Sequence, residues 1–281
     1  MAHPGTLLKS HGLRASKKRG QNFLVHPATA QAIAASAGIG PGEVVVEIGA
    51  GLGALTLACA GLAARVVALE VDRGLFRVLE QVLAGAGADN VEPRLQDALD
   101  VDWQELAAGA GGPVTVVGNL PYAISSPLLL KLVSARECWK RATLMLQKEL
   151  AQRLTSPPGN KDYGRLSVLV QTWCEIEPGF SVGPDQFFPR PAVESRIVHL
   201  KSRKDPLVPL ADGEQAAWFQ TVVKAAFSQR RKTLANSLAG GLDRDRPGVT
   251  QALTRAGIDP RRRAETLSPQ EFFRAAQELA A

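Results

Sequence analysis

From Glu43 onward, short apolar runs alternate with stretches whose apolar residues recur every three or four positions. "EVVVEIG", "RVVALEVD", "NVEPRLQDA" and "PVTVVGNL" predict strands, while "ALTLACAGLA" and "GLFRVLEQVLAGA" between them predict helices. Such alternation predicts a parallel, doubly wound sheet, and the unbroken apolarity of "VVVEI" and "VTVV" fits strands covered on both faces. "SPLLLKLVSA" continues as a helix, "RATLMLQ" as a strand and "KELAQRL" as a helix that stops at the Pro- and Gly-rich "TSPPGNKDYG". "RLSVLVQTWCEIEPGF" and "ESRIVHLKSR" are expected to close the sheet, with the proline-fixed aromatic loop "PDQFFPRP" between them. Beyond "KSRKDPLVP" only helical patterns follow, the last behind the Ser268-Pro269 start. The expected division is therefore an N-terminal arm (1–25), an α/β domain (26–204) and a small all-helical domain (205–281).

The 281 residues, 45% of them hydrophobic, suffice for one large core and a smaller second one. No apolar run approaches the length of a membrane span or a signal peptide, so a soluble, cytoplasmic protein is expected. Cys59, Cys138 and Cys174 lie far apart, which points to neither a disulfide framework nor a metal site. Charge changes the picture more. Residues 1–42 hold five basic side chains and no acid, residues 43–200 hold 14 basic and 18 acidic, and residues 201–281 hold 14 basic and 9 acidic. A mildly acidic body with basic ends suggests a catalytic centre flanked by polyanion-gripping segments. The candidate phosphate contacts are Lys17, Lys18 and Arg19 in the arm, and Arg230, Arg231, Lys232, Arg261, Arg262 and Arg263 in the helical tail.

At the end of the first strand, "VVVEIGAGLGALT" sets Gly49, Gly51 and Gly53 in a loop where a ligand can approach the backbone closely. Gly49, Gly51 and Ala54 also satisfy a dinucleotide fingerprint, so the loop alone leaves the cofactor open. Glu70, 21 residues after Gly49 at the end of the second strand, is spaced to bind ribose hydroxyls. Glu47, just before the first glycine, tips the choice: a carboxylate would repel a pyrophosphate but favours the sulfonium and ammonium of S-adenosylmethionine. The loop resembles motif I of class I methyltransferases, and Asp97 in "LQDA" fits the carboxylate that contacts the adenine amino group in that family.

"GNLPY" places Asn119, Leu120, Pro121 and Tyr122 at the carboxyl end of the next strand, where open α/β sheets bind ligands. An exocyclic adenine N6 is a poor nucleophile because its lone pair is delocalised into the ring. If the Asn119 oxygen and a backbone carbonyl of "NLP" accept its two hydrogens, the nitrogen becomes more tetrahedral and its lone pair is aimed. Pro121 fixes the turn, and Tyr122 offers a flat face to an unstacked base.

Together these residues resemble the ribosomal RNA adenine N6-dimethyltransferases of the KsgA type. The likeness rests on "GQNFL", "VEIGAGLGALT", "GNLPYAISSPLL", "MLQKELAQRL", "YGRLSV", the "FFPRPAVES" loop and "QRRKTLANSL", whose order and spacing together are specific. It implies a Rossmann-like, seven-stranded, mostly parallel sheet with a helical C-terminal domain. It further implies S-adenosylmethionine contacts from Asn22, Leu24, Gly49, Gly51, Glu70, Asp97 and Asn119, and a base sandwiched between Tyr122 and Phe187. The implied partner is small-subunit ribosomal RNA in an immature subunit, methylated at two adjacent adenosines; nothing in the sequence suggests more than a monomer. Arg19, before Gly20, departs from the aromatic or leucine of many relatives. The competing readings are a large-subunit dimethyltransferase of the macrolide-resistance type, a non-catalytic RNA-binding assembly factor, and a nicotinamide dehydrogenase.

Overall fold

The computed structural model describes residues 2–16, 19–121, 124–210, 212–229 and 231–280. In chain order its elements begin with α1 (Pro4–Ser10), β1 (Phe23–Leu24), α2 (Pro27–Ser36), β2 (Val44–Ile48), α3 (Ala54–Ala60), β3 (Arg65–Glu70), α4 (Arg73–Ala86) and β4 (Val91–Leu95). There follow α5 (Trp103–Gly109), β5 (Val114–Asn119), α6 (Ser125–Ser134), β6 (Trp139–Gln147), α7 (Lys148–Thr155), α8 (Arg165–Trp173), β7 (Cys174–Val182), β8 (Phe187–Phe188) and β9 (Ser195–Ser202). The rest is helical: α9 (Gly213–Ala226), α10 (Leu234–Leu242), α11 (Arg246–Arg255) and α12 (Pro269–Ala280).

Seven strands form one sheet in the order β4-β3-β2-β5-β6-β9-β7. β4, β3, β2, β5 and β6 pair in parallel, and β9 lies antiparallel to β6. Every residue of β2 from Val45 to Ile48 is buried, as a strand covered on both faces requires. The chain leaves β2 for β3 on one side and later returns as β5 on the other. That reversal opens a crevice at the carboxyl ends of β2 and β5, the place where such sheets hold ligands. At the opposite end, Glu43 accepts from Lys140 and Arg141 at 2.5 Å and from the Thr115 hydroxyl at 2.9 Å. Burial alone would raise its carboxyl; these partners outweigh that and bring it down to about 2.

The arm is a packed part of this body. Leu8 of α1 is 2% exposed and clusters with Phe23, Leu52, Leu75 and Val78. β1 pairs antiparallel with β8, Phe23 opposite Phe188 and Leu24 opposite Phe187.

By contacts the chain divides into Met1–Ala151 with Ile176–Ser202, and Gln152–Glu175 with Arg203–Ala281. The segment 152–175, expected in the α/β body, therefore groups with the C-terminal helices. Its "RLSVLVQTW" also corrects an expectation, because it forms helix α8 instead of a strand, and the strand starts only at Cys174. Leu166, Leu169, Val170 and Trp173 recur at helical spacing and are buried, but an apolar run this short fits either period. In the helical unit, α8 through α12 pack around Phe219, Leu234, Leu253 and Phe272, each at most 1% exposed. Helix α10 starts at Leu234, so Arg231 and Lys232 sit in the exposed turn before it. Among the described residues no helix is long and apolar enough to cross a membrane, and no three His, Cys, Asp or Glu side chains are grouped to hold a metal.

Candidate active site

The loop after β2 turns through three glycines at positive φ: Gly49 at 75°, Gly51 at 57° and Gly53 at 85°. A side chain at Gly51 would lie 3.2 Å from the Phe23 ring as well as being strained, so the loop can lie this close beneath the arm only as glycine. The freed backbone is used at once. Gly51 N–H donates to Glu70 Oε2 at 2.8 Å, and Asp72 N–H donates to Oε1 of the same carboxylate at 2.8 Å. Burial raises the Glu70 carboxyl, and those two amides oppose the rise. Asp97 likewise accepts the Leu99 N–H at 2.9 Å through Oδ1.

Glu47 is different. It is 1% exposed, and its Oε2 makes no hydrogen bond. Thr56 approaches it and favours the charged form without a well-formed bond, since the threonine hydroxyl is itself unpartnered. Burial above all, with a smaller push from the Glu70 charge, raises the Glu47 carboxyl to about 7.

Across the crevice, β5 ends in the amide. Gly118 lets β5 close on β2, because a Cβ there would fall 2.9 Å from Leu120 Cδ2 and 3.0 Å from the Ile48 carbonyl. Asn119 Nδ2 donates to the Asn22 carbonyl at 2.9 Å. The Pro121 carbonyl is taken by Ile124 N–H at 3.1 Å and the Ser125 hydroxyl at 3.0 Å. It is therefore unavailable as the second acceptor expected from "NLP"; the Leu120 side chain is buried.

Asn22, Leu24, Gly49, Gly51, Glu70, Asp97 and Asn119 all line one cavity of about 380 Å³, together with Leu120 and Pro121. The cavity also contains residues that the sequence did not single out, notably Leu52, Val71, Leu75 and Ala98, which give it apolar walls. Val71 directly follows the strand-end acid Glu70 and is 54% exposed.

Other expectations fare differently. Phe187 is 4% exposed and packs in the core with Leu24, Val117, Met145 and Ile197. The outward member of the pair is Phe188, 37% exposed and edge-on to His3, so Phe187 presents no free face for stacking in this arrangement. Arg19 is tied to Asp72 in an ion pair and lines the cavity, a position at odds with a free phosphate contact. Arg262 is also spent: it grips the Glu271 carboxylate and the Thr266 carbonyl, whereas Arg261, paired at the surface with Asp259 at 3.3 Å, is 88% exposed, and Arg263 is exposed. Lys17, Lys18, Tyr122 and Arg230 lie outside the described residues.

The profile of the ribosomal RNA adenine dimethylase family matches residues 12–281. The chain belongs to that family. A small-subunit methyltransferase A of Moorella thermoacetica is 45% identical over 97% of this chain and 96% of its own. Its counterpart in Desulforapulum autotrophicum is 46% identical over 99% and 97%. Among solved structures, a dimethyladenosine transferase of Plasmodium falciparum superposes with a TM-score of 0.74 at 25% identity, covering 92% of this chain and 97% of that one. The 23S rRNA methyltransferase ErmE gives 0.65 at 28% identity, covering 92% and 100%.

S-adenosylmethionine is the cofactor of this dimethylase family, and the cavity fits it. Among the described residues, the carboxylates Glu47, Glu70 and Asp97 line the cavity, and the single guanidinium there, Arg19, is paired with Asp72. This lining suits a cationic ligand and would repel a pyrophosphate. The unpartnered Glu47 oxygen is the clearest sign, because a buried polar atom without a partner is costly unless a ligand completes it.

Proposed function

We propose that this protein methylates N6 of two adjacent adenosines in small-subunit ribosomal RNA to N6,N6-dimethyladenosine, during maturation of the subunit. Supporting this is the family, together with relatives at 45% and 46% identity over nearly the whole chain that are named for the small subunit. The observation that carries the chemistry is the Asn119 carboxamide at the cavity wall, its N–H end already donated to Asn22. An amide so bound faces a ligand as an acceptor.

When bound, S-adenosylmethionine supplies a methyl group on a sulfonium that leaves as a neutral thioether. The protein's part is placement. The Asn119 oxygen and the Leu120 carbonyl accept the two N6 hydrogens in the first transfer and the one that remains in the second, which draws the lone pair out of the ring and aims it across the cavity. Attack leaves N6 cationic and strongly acidic, so its proton passes to solvent without a buried base, and the neutral thioether needs no acid to leave. Tyr122 supplies the stacking face for the extruded base. Glu70 and Asp97 hold the ribose and the adenine amino group of the cofactor, and Asn22 and Leu24 cover it. Arg231, Lys232, Arg261 and Arg263 contact phosphate, giving affinity without base reading.

Immature small subunits incubated with methyl-labelled cofactor should yield label mapped to two neighbouring dimethyladenosines. Asn119→Ala should lower kcat by about a hundredfold or more, the usual scale for losing one preorganised polar contact to the reacting group. Label on large-subunit RNA alone would favour the macrolide-resistance activity, and an Asn119→Ala protein with undiminished turnover would end this mechanism.

A further inference from the structure

A carboxamide is nearly symmetric in shape. Turning it by 180° exchanges an acceptor for a donor at almost no steric cost, so something must choose between the two poses. In the wrong pose the Asn119 NH2 would face the NH2 of the target adenine, two donors with nothing to accept. What the far end of the amide meets decides the matter, and it meets a backbone carbonyl, which can only accept. Reversing the amide would set oxygen against oxygen.

We propose that the Asn22 carbonyl is a positioning group for methyl transfer: docking of the N-terminal segment orients Asn119 and thereby sets kcat, in addition to closing the cofactor cavity. This rests on the methyl-transfer reading above. The carbonyl is supplied from 97 residues upstream, and the described residues around it are tied down by several contacts. Asn22 Nδ2 donates to the Gly20 carbonyl at 3.1 Å, and Ser16 N–H donates to Gln21 Oε1 at 2.8 Å. Arg19 pairs with Asp72, whose own N–H is bound to Glu70 in the cavity. Phe23 and Leu24 are paired with β8, and Phe23 packs in the cluster seated by Leu8.

Leu8 lies outside the cavity, so it is the place to loosen the segment without touching ligand. Leu8→Asp buries a charge in that cluster; Leu8→Ala is the milder variant should the first fail to fold. Gly85→Ala, on α4 with open space around it, is the control. Two readouts are needed. The first is hydrogen exchange of the Asn119 side-chain amide by NMR, assigned as the resonance pair missing from Asn119→Ala. The second is kcat at saturating cofactor and subunit, measured apart from KM. In the wild type the amide should exchange slowly. The Leu8 variants should lose that protection and lower kcat about two- to tenfold, the worth of one hydrogen bond, while Gly85→Ala changes neither. An unprotected Asn119 amide in the wild type would overturn the proposal. So would Leu8 variants that lose protection or weaken only KM while saturated kcat holds. A wild-type protein with a protected amide but no transfer to ribosomal RNA would instead sink the underlying reading, and this inference with it.

Discussion

Replacing Glu47 with glutamine separates what the buried acid does for the cofactor from what it costs the fold. Its carboxyl stands at about 7 against an ordinary 4.5, and because it is raised, the folded state holds a proton between those values that the unfolded chain has released. Stability from this group is therefore complete below pH 4.5, falls as pH rises toward 7, and is flat above. The loss is about 1.4 kcal/mol per pH unit across that window, or roughly 3 kcal/mol in all. Glutamine has the same shape and never ionises, so Glu47→Gln should match the wild type near pH 5 and exceed it by up to about 3 kcal/mol at pH 8. Urea unfolding at both pH values measures the difference, in which Glu70 and the other titrating groups, common to both proteins, cancel to first order. Calorimetric titration with S-adenosylmethionine at pH 8 should show the opposite preference, weaker binding to the variant, because a cation favours an ionised partner. If the two proteins differ by the same amount at pH 5 and pH 8, Glu47 does not titrate in this window and the reasoning fails.

Two neighbouring arginines should part company. Arg262→Ala removes the grip on Glu271, whose carboxyl burial would raise but which Arg262 and the Ser268 N–H hold below its usual value; it should destabilise the helical unit by about 1–2 kcal/mol in thermal unfolding. Arg261→Ala should leave stability unchanged and reduce the salt dependence of RNA binding by about one counterion in a titration across salt concentration. For the aromatic pair, Phe187→Ala should cost about 3–5 kcal/mol of stability by opening a cavity in the core, whereas Phe188→Ala should cost far less; reversed effects in denaturant titration would reverse the assignment of faces.

The parts of the site that the sequence made legible are those whose chemistry is local. The "VVVEI" run, three glycines and an acid at the next strand's end lie within 27 residues and announce a strand, a turn and a ligand contact by composition alone. Long-range pairings left no such trace: nothing in "GQNFL" shows that its asparagine carbonyl meets Asn119. Identical neighbours defeat pattern too, because Arg261 to Arg263 read as one basic cluster until Glu271, nine residues beyond Arg262, claims one of them. Likewise "FFPRP" cannot say which phenylalanine faces inward, since a strand turns adjacent residues to opposite sides but the sequence does not print the register. Helix α5 is announced by its own start. Asp102 caps it through the N–H groups of Gln104 and Glu105, and Glu105 lies three residues on, a start motif visible in "DWQE".

Strand order itself assigns the two ends of the site. Moving from β5 to β2, β3 and β4, the carboxyl ends present Asn119, the glycine loop with Glu47, Glu70, and Asp97. Three inter-strand steps cover about 14 Å, room to lay an adenosine with an amino-acid arm across the strand tips. The acids occupy β2, β3 and the turn after β4, and two of them are already bound by backbone N–H groups that fix their aim. The neutral amide stands alone at the β5 end, held by the arm. In the proposed function, charge is thus kept for the cationic cofactor, while a neutral acceptor meets the amine.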